Sequence, residues 1–317
     1  MLILTSDQIR SLAPIPELIE ALRIEFGHSA IAHPRQVLSV PGGAGDRQLL
    51  CMPSFSQQGG GMVKLSTVYP DNPVRDKPTI QGVIVVFDAD GAPAAILDGG
   101  TVTKLRTGAA SALASSFLSR EDSSHLAILG TGALAPFMAQ AHCAVRPIKD
   151  ICVWGRDVRN SEATAAHIRE LVDPGIHVHT AESAEHAAAN ADIVSCATSA
   201  TAPVLAGRWL RSGTFVDLVG SFSPNKRESD DDVVRGLRIF VDTFEGTLAE
   251  AGDLLDPLRR GVIDRDRIEG ELADLVRHVV KGRRDAHEII VFKSVGTALE
   301  DLAAAKLILA NATRRKA

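Results

Sequence analysis

Helical spacing opens the chain. Behind a capping Thr5 or Ser6, "DQIRSL" and "PIPELIEALRIEFGHSA" place apolar residues three and four apart, which predicts two helices, the second ending near Gly27. From Arg35 the period shortens. "RQVLSV", "RQLLCMPSF", "GMVKLSTVYP" and "TIQGVIVVFDADGAPAAILDG" alternate or run apolar between Gly, Pro and Asp, which predicts a meander of strands with a hairpin at "DADG". "GGTVTKLRTGAASALASSFLSR", from Gly99, reads as a small-residue helix suited to close backbone packing and placed to join two domains. Beyond it, short apolar strands from "SHLAILG" to "RIFVDTF" alternate with helical stretches and Gly turns, the pattern of a parallel sheet with helices on both faces. The tail "FKSVGTALEDLAAAKLILANA" reads as a final helix, returning to the first domain.

A chain of 317 residues exceeds the size at which single cores stop growing, so two domains are expected, with the cleft between them as the default site. Its 45% hydrophobic and 23% charged residues are ordinary for a globular protein, and a formal charge of -5 offers no attraction for nucleic acid or acidic membranes. The N-terminus lacks a signal-peptide core, and no apolar run approaches the ~18 residues of a membrane span. Cys51, Cys143, Cys152 and Cys196 are too scattered for a metal knuckle and read as reduced thiols. A cytoplasmic protein acting on a small molecule is the expectation.

The first chemical signal is "AILGTGALAPFMAQAH", in which Gly130, Gly132 and Ala135 form G-x-G-x-x-A between a strand and a helix. Gly130 suits the tight turn, Gly132 the approach of a pyrophosphate, and Ala135 the packing of helix on strand. The same string also fits a tight turn without a ligand. A second strand at the expected distance ends in "WGRD", where an NAD site usually carries an acid. Arg156 stands there instead and favours the 2'-phosphate of NADP(H), while Asp157, one residue on, keeps NAD(H) open.

Three cations stand in contexts unlike solvated surface charge: Arg35 in "AHPRQV", Lys64 in "GMVKLSTVYP" and Arg106 in "KLRTGAAS". Lys64 lies in an apolar strand with Met62 and Leu65 nearby, where an unpaired ammonium would be costly, so an anionic group should be close to it. Together the three could hold a carboxylate and stabilise charge at a reacting centre. Among ten histidines the one close pair, His177 and His179, alternates along a strand with no third ligand in view, and no metal site is expected.

"PR" at 34–35, "MP" at 52–53, the lysine of "GMVK", "PT" at 78–79, "VFD" at 86–88, "RTGAASALA" at 106–114, "GTGALA" at 130–135, "CAT" at 196–198 and "FKSVG" at 292–296 together resemble the ornithine cyclodeaminase and mu-crystallin family, in order and over the whole chain. The resemblance implies a homodimer of α/β class. A substrate and dimerisation domain with a mainly antiparallel sheet would take residues 1–114 with the C-terminal helix 297–317, and a Rossmann dinucleotide-binding domain residues 115–296. It also implies that Arg35, Lys64 and Arg106 contact the substrate carboxylate and active centre, with Met52 near the substrate and Thr79 near the substrate or the nicotinamide. Thr107 and the turn Gly130, Thr131, Gly132, Ala133, Leu134 and Ala135 would meet the cofactor phosphates. Trp154, Gly155, Arg156, Ala197, Thr198, Val219 and Val295 would line the rest of the cofactor.

The family's reactions are mixed, and "DLVGSFSPNKRESDDD" at 217–232 separates them. Ornithine cyclodeaminases resemble G-G-D-x-P-G-K-x-E here, their Asp being the catalytic carboxylate that handles the substrate amine. Aligned on Gly220, Pro224 and Glu228, this chain has Phe222 at that position. A phenyl ring can neither take a proton nor pair with ornithine's distal ammonium, and it suits an apolar ring. With "VWGR" and "EAGDL", the turn is similar to the members that reduce cyclic ketimines, so the expected substrate is a cyclic imino acid such as 1-pyrroline-2-carboxylate or its six-membered analogue. Ornithine cyclodeaminase and a crystallin-like NADPH-binding protein remain the alternatives. Ser221 and Ser223 read as turn formers, and the acids from Glu228 to Asp232 as a helix start.

Overall fold

A computed structural model describes residues 1–28, 31–42, 47–57 and 59–315, apart from the Pro73 side chain. The chain divides into two compact units, residues 1–106 with 297–317 and residues 107–296. The first carries β1 (Leu2–Leu4), α1 (Ser6–Leu12), α2 (Ile15–Gly27), β2 (Ile31–Ala32), β3 (Gln36–Ser39), β4 (Gln48–Phe55), β5 (Gly61–Val68), β6 (Ile80–Phe87), β7 (Pro93–Asp98) and the start of α3 (Gly99–Leu118). The second continues through β8 (His125–Leu129), α4 (Ala135–Val145), β9 (Asp150–Trp154), α5 (Val158–Leu171), β10 (His177–Thr180), α6 (Ala184–Ala189), β11 (Ile193–Cys196), β12 (Phe215–Leu218), α7 (Asp231–Val234), β13 (Arg238–Val241), α8 (Phe244–Glu250), α9 (Gly252–Arg259), β14 (Ile268–Glu271), α10 (Leu272–Val276) and β15 (Ile290–Lys293). The closing helix α11 (Ala298–Arg314) belongs to the first unit. The boundary expected from sequence, at 114, lies further along α3 than this division.

In the first unit the strands run β1-β7-β6-β5-β4-β2, with β3 also on β4. All pairs are antiparallel except β1 with β7. Period-two alternation buries Leu50, Met52, Met62, Lys64, Ile84, Val86 and Leu97 on one face, covered in part by α11 packing on β4, β5 and α2. Thr5 and Gln8 form a capping box that starts α1, and Asp98 accepts the Thr101 amide at 2.7 Å to start α3 where β7 ends. Lys306 secures α11 with two 2.9 Å contacts to the buried Glu25.

The second sheet runs β10-β9-β8-β11-β12-β15-β13-β14, every neighbouring pair parallel. One expectation fails here. The tail read as helix from Phe292 instead contributes β15, inserted between β12 and β13, and α11 begins only at Ala298. A short apolar run such as "IVFK" has no period to separate strand from helix, and flanking a long helical pattern it was absorbed into it. Strand β14, "IEGE", is too polar and short to register as a strand at all.

Asp217, in the middle of β12 and wholly buried, joins this core. Its carboxylate accepts the hydroxyls of Ser111 on α3 at 3.0 Å and Ser195 on β11 at 2.8 Å, and it lies 3.3 Å from His142 Nε2 on α4. Replacing it with Ala strands three buried polar groups, so Asp217→Ala should lose about 3 kcal/mol or more of unfolding free energy in a denaturant titration. A loss within about 0.5 kcal/mol, the size of a surface change, would show that the network does not hold these elements together.

Candidate active site

The cations of the first unit meet at the start of α11. Lys64, in register between Met52 on β4 and Ile84 on β6, is only 3% exposed. Its Nζ lies 2.5 Å from Asp301 Oδ2. Arg106 donates from Nε to Asp301 Oδ1 at 3.1 Å and pairs through Nη1 with Glu300. Both acids sit in the first turn of α11, behind its Thr297 cap, where the helix dipole favours negative charge. Burial pushes the Lys64 ammonium down to about 8, the Arg106 and Arg35 charges add to the depression, and Asp301 opposes it. The three cations therefore share one electrostatic neighbourhood, Arg35 reaching it from the loop between β2 and β3.

Met52 is buried beside Lys64, but Thr79 is not brought to the cluster. Thr79 precedes β6, its carbonyl accepting the Tyr69 amide, and lies about 16 Å along the strand direction from Ile84, the partner of Lys64. Glu300 and Asp301 were not anticipated individually. The available signal was "ALEDLA", two acids inside an otherwise apolar helical stretch, the position at which burial demands a cationic partner.

In the second unit all strands run the same way, so their carboxyl ends share one edge. Register aligns Leu129 with Trp154 and Cys196, and Leu218 with Cys196 and Lys293. The segments that follow, carrying Gly130 to Ala135, Gly155 and Arg156, Ala197 and Thr198, Val219 to Phe222, and Val295, emerge along that edge. Strand order reverses between β8 and β11, the switch point at which open sheets of this kind bind ligands. Gly130 has φ 124, and a Cβ there would lie 2.5 Å from the Ala197 carbonyl oxygen, so only glycine fits. At Gly132 a Cβ would meet nothing nearer than 3.9 Å, which leaves the turn open in front of α4. Such an open, glycine-lined helix start fits a dinucleotide pyrophosphate. Thr107 is buried in α3, Ala197, Val219 and Val295 are buried, Thr131, Leu134, Trp154 and Thr198 half-buried, and Ala133 exposed.

Arg156 is exposed at the end of β9. Asp157, the alternative ribose acceptor, caps α5 instead, accepting the amides of Arg159 at 2.8 Å and Asn160 at 3.4 Å.

The turn at 217–232 is held by an interior carboxylate. Glu228, expected to begin a helix, is wholly buried; Asp230 caps α7, accepting the Asp232 and Val233 amides. Glu228 Oε1 accepts the Thr198 amide at 2.6 Å, and Oε2 the amides of Gly220 at 2.6 Å and Ser221 at 3.2 Å. One side chain thus clasps the loop after β11 to the loop after β12. Burial pushes its carboxyl up to about 7, against the pull of the Lys293 ammonium and with the help of Asp253. Asp253 in turn accepts the Glu228 and Ser229 amides at 2.8 and 3.0 Å and lies 3.5 Å from Lys293 Nζ. The Ser221 hydroxyl bonds the Lys226 carbonyl and that of Ser223 bonds Asn225, so both serve the turn. Phe222 is half-buried, with Lys226 Nζ 4.7 Å from its ring centroid. Burial pushes the thiols of Cys143 and Cys152 up to about 12 and 11, and that of Cys196 higher than normal, which makes them poor nucleophiles. Among the described residues no helix is long and apolar enough to cross a membrane.

A protein of Colwellia psychrerythraea called Delta(1)-pyrroline-2-carboxylate reductase is 36% identical over 313 residues, covering 98% of this chain and 98% of its own. The structure of Thermococcus litoralis Delta(1)-pyrroline-2-carboxylate reductase in complex with NADH and L-proline matches with a TM-score of 0.94 and 35% identity, over 100% of this chain and 98% of that one. An archaeal alanine dehydrogenase dimer with bound NAD matches with a TM-score of 0.91 and 26% identity, over 100% and 97%. The family model that describes ornithine cyclodeaminase and mu-crystallin matches residues 2–316, and the chain belongs to the ornithine cyclodeaminase/mu-crystallin family.

Proposed function

We propose that this chain is an NAD(P)H-dependent reductase of cyclic ketimines, converting 1-pyrroline-2-carboxylate to L-proline and the six-membered analogue to L-pipecolate. The observation that carries the reading is the end-to-end match to a reductase structure holding NADH and L-proline, the expected product of this reaction. Phe222 supports it, since it stands where the lyases of the family resemble one another in carrying an Asp. Similarity to the alanine dehydrogenase is lower, at 26% identity.

The chemistry needs little from the protein beyond position and charge. A bound reduced nicotinamide supplies the hydride that adds to C2 of the ring imine. Arg35 and Arg106 hold the substrate carboxylate, with Glu300 and Asp301 fixing the Arg106 guanidinium so that it does not have to be ordered during the reaction. Lys64, with its ammonium lowered to about 8, is a proton donor matched to near-neutral operation, and the imine nitrogen is the atom that must carry the proton. Phe222 brings no second carboxylate, and an imine with one charged group asks for none. The balance is one imine, one hydride and one proton to one secondary amine.

For the cofactor, the exposed Arg156 and the commitment of Asp157 to the α5 cap support NADP(H) over NAD(H). For assembly we propose a homodimer through the outer face of the first unit's sheet. Along that face Phe55 is 44% exposed, Val83 42% and Leu65 36%, a run of apolar side chains that water would not favour.

Three measurements test these readings. With 1-pyrroline-2-carboxylate, the protein should oxidise NADPH; kcat/KM should fall above about pH 8, and Lys64→Arg should move that limb upward while Lys64→Ala loses most of kcat/KM and keeps dinucleotide binding. Constant NADPH absorbance with both ring sizes would leave a ligand-binding protein, and release of ammonia from ornithine would restore the lyase. Arg156→Ala should weaken NADPH roughly tenfold, the loss of one charge-assisted contact, with NADH unchanged; equal effects on both would remove Arg156 from the site. Val83→Glu should convert a dimer to a monomer in sedimentation, and an unchanged mass would place the interface elsewhere.

A further inference from the structure

The pair His177 and His179, unpartnered in the linear sequence, acquires a third group from strand pairing. Strand β10 lies parallel to β9, with His177 in register with Asp150 and His179 with Cys152, so both imidazoles and the Asp150 carboxylate project from the same face. His177 Nδ1 lies 2.8 Å and His179 Nδ1 3.6 Å from Asp150 Oδ1, and the ligand atoms of the three residues all fall within 4.8 Å of one another. The two rings are stacked, centroids 4.8 Å apart and planes 18° from parallel.

We propose that Asp150, His177 and His179 form a binding site for a divalent transition-metal ion, best matched by Zn2+. Ligands at tetrahedral Zn–N and Zn–O lengths stand about 3.4 Å apart, the separations of the two Nδ1 atoms from Asp150 Oδ1 bracket that value, and turning the two stacked rings toward a common point would bring both nitrogens onto one ion. His179 Nδ1 is buried without a hydrogen-bond partner, and a metal would satisfy that atom. Two imidazoles and one carboxylate suit Zn2+ among the first-row ions, whereas Mg2+ and Ca2+ prefer oxygen. His177 is 72% exposed, which leaves a coordination position to water.

The site is remote from the dinucleotide turn within the same strands: Asp150 begins β9, and Trp154, beside that turn, ends it. An ion there would act on structure. Strand β10 is the edge of its sheet, and the metal would fasten it to β9.

The test uses the full chain without a polyhistidine tag, stripped with a chelator and titrated with Zn2+ against a chromophoric competitor, and with Co2+ followed by its visible bands. One ion per chain is expected, with Tm rising as Zn2+ is added. The double variant His177→Ala/His179→Ala should weaken binding by at least roughly a hundredfold and abolish the Tm rise, and Asp150→Asn should weaken it at least about tenfold, no less than the loss of a ligand-orienting partner. NADPH oxidation by the metal-free double variant should equal that of the metal-free wild type, which separates this test from that of the reductase reading. Undiminished Zn2+ affinity in the double variant, or no saturable binding by the wild type, would overturn the site and leave a His–Asp hydrogen bond at a sheet edge.

Discussion

A buried ammonium must be paired, and in the first unit that requirement reaches from one end of the chain to the other. Lys64 sits on the inner face of a sheet whose other inner residues are almost all apolar, and the carboxylate that stabilises it, Asp301, arrives from the last helix. The same Asp301 holds Arg106, and Glu300 beside it completes the set. Removing either acid would leave a buried cation uncompensated, the costly half of a buried ion pair. The C-terminal helix therefore serves the site as well as the core, and Lys306 on Glu25 secures its outer turns.

The second unit answers a related problem with the opposite charge. The loops after β11 and β12 are irregular backbone at the carboxyl edge of the sheet, and their amides need acceptors. Glu228 supplies acceptors to three of them, and Asp253 and Lys293 stabilise the segment that carries it. The strand β15 that the linear pattern hid is what brings Lys293 there, between β12 and β13. The carboxyl's raised protonation range follows from burial and from Asp253, with the Lys293 ammonium acting against both.

Much of this was legible in the sequence because it rests on local periods and on motifs with a steric cause. The two opening helices, the antiparallel meander, the small-residue helix α3 and the G-x-G-x-x-A turn all follow from spacing or from a position only glycine can occupy. Lys64 was legible as a paired cation, because an ammonium in an apolar strand has no cheaper state. What stayed hidden depends on which strands become neighbours. Asp301 for Lys64, Asp150 for His177 and Glu228 for Thr198 are contacts over 237, 27 and 30 positions, and no local pattern encodes them. Glu228 was misread for a particular reason: acids ahead of a short helix look alike, and only Asp230 among them is the cap.

The contrast between the two carboxylate roles bears on the chemistry. Within each unit the buried acids are engaged with protein groups, Glu300 and Asp301 with cations in the first and Glu228 with amides in the second. A lyase acting on a diamine needs a carboxylate available to the substrate's second nitrogen, and at the turn position where this chain's resemblance to ornithine cyclodeaminases implies an Asp it has Phe222, with Lys226 Nζ over its ring. Hydride addition to an imine makes no such demand: it needs a held carboxylate, a proton on nitrogen and a dry apolar wall. The first requirement is met in the first unit by cations already oriented through buried acids, and an aromatic side chain at position 222 of the second removes nothing that hydride addition uses.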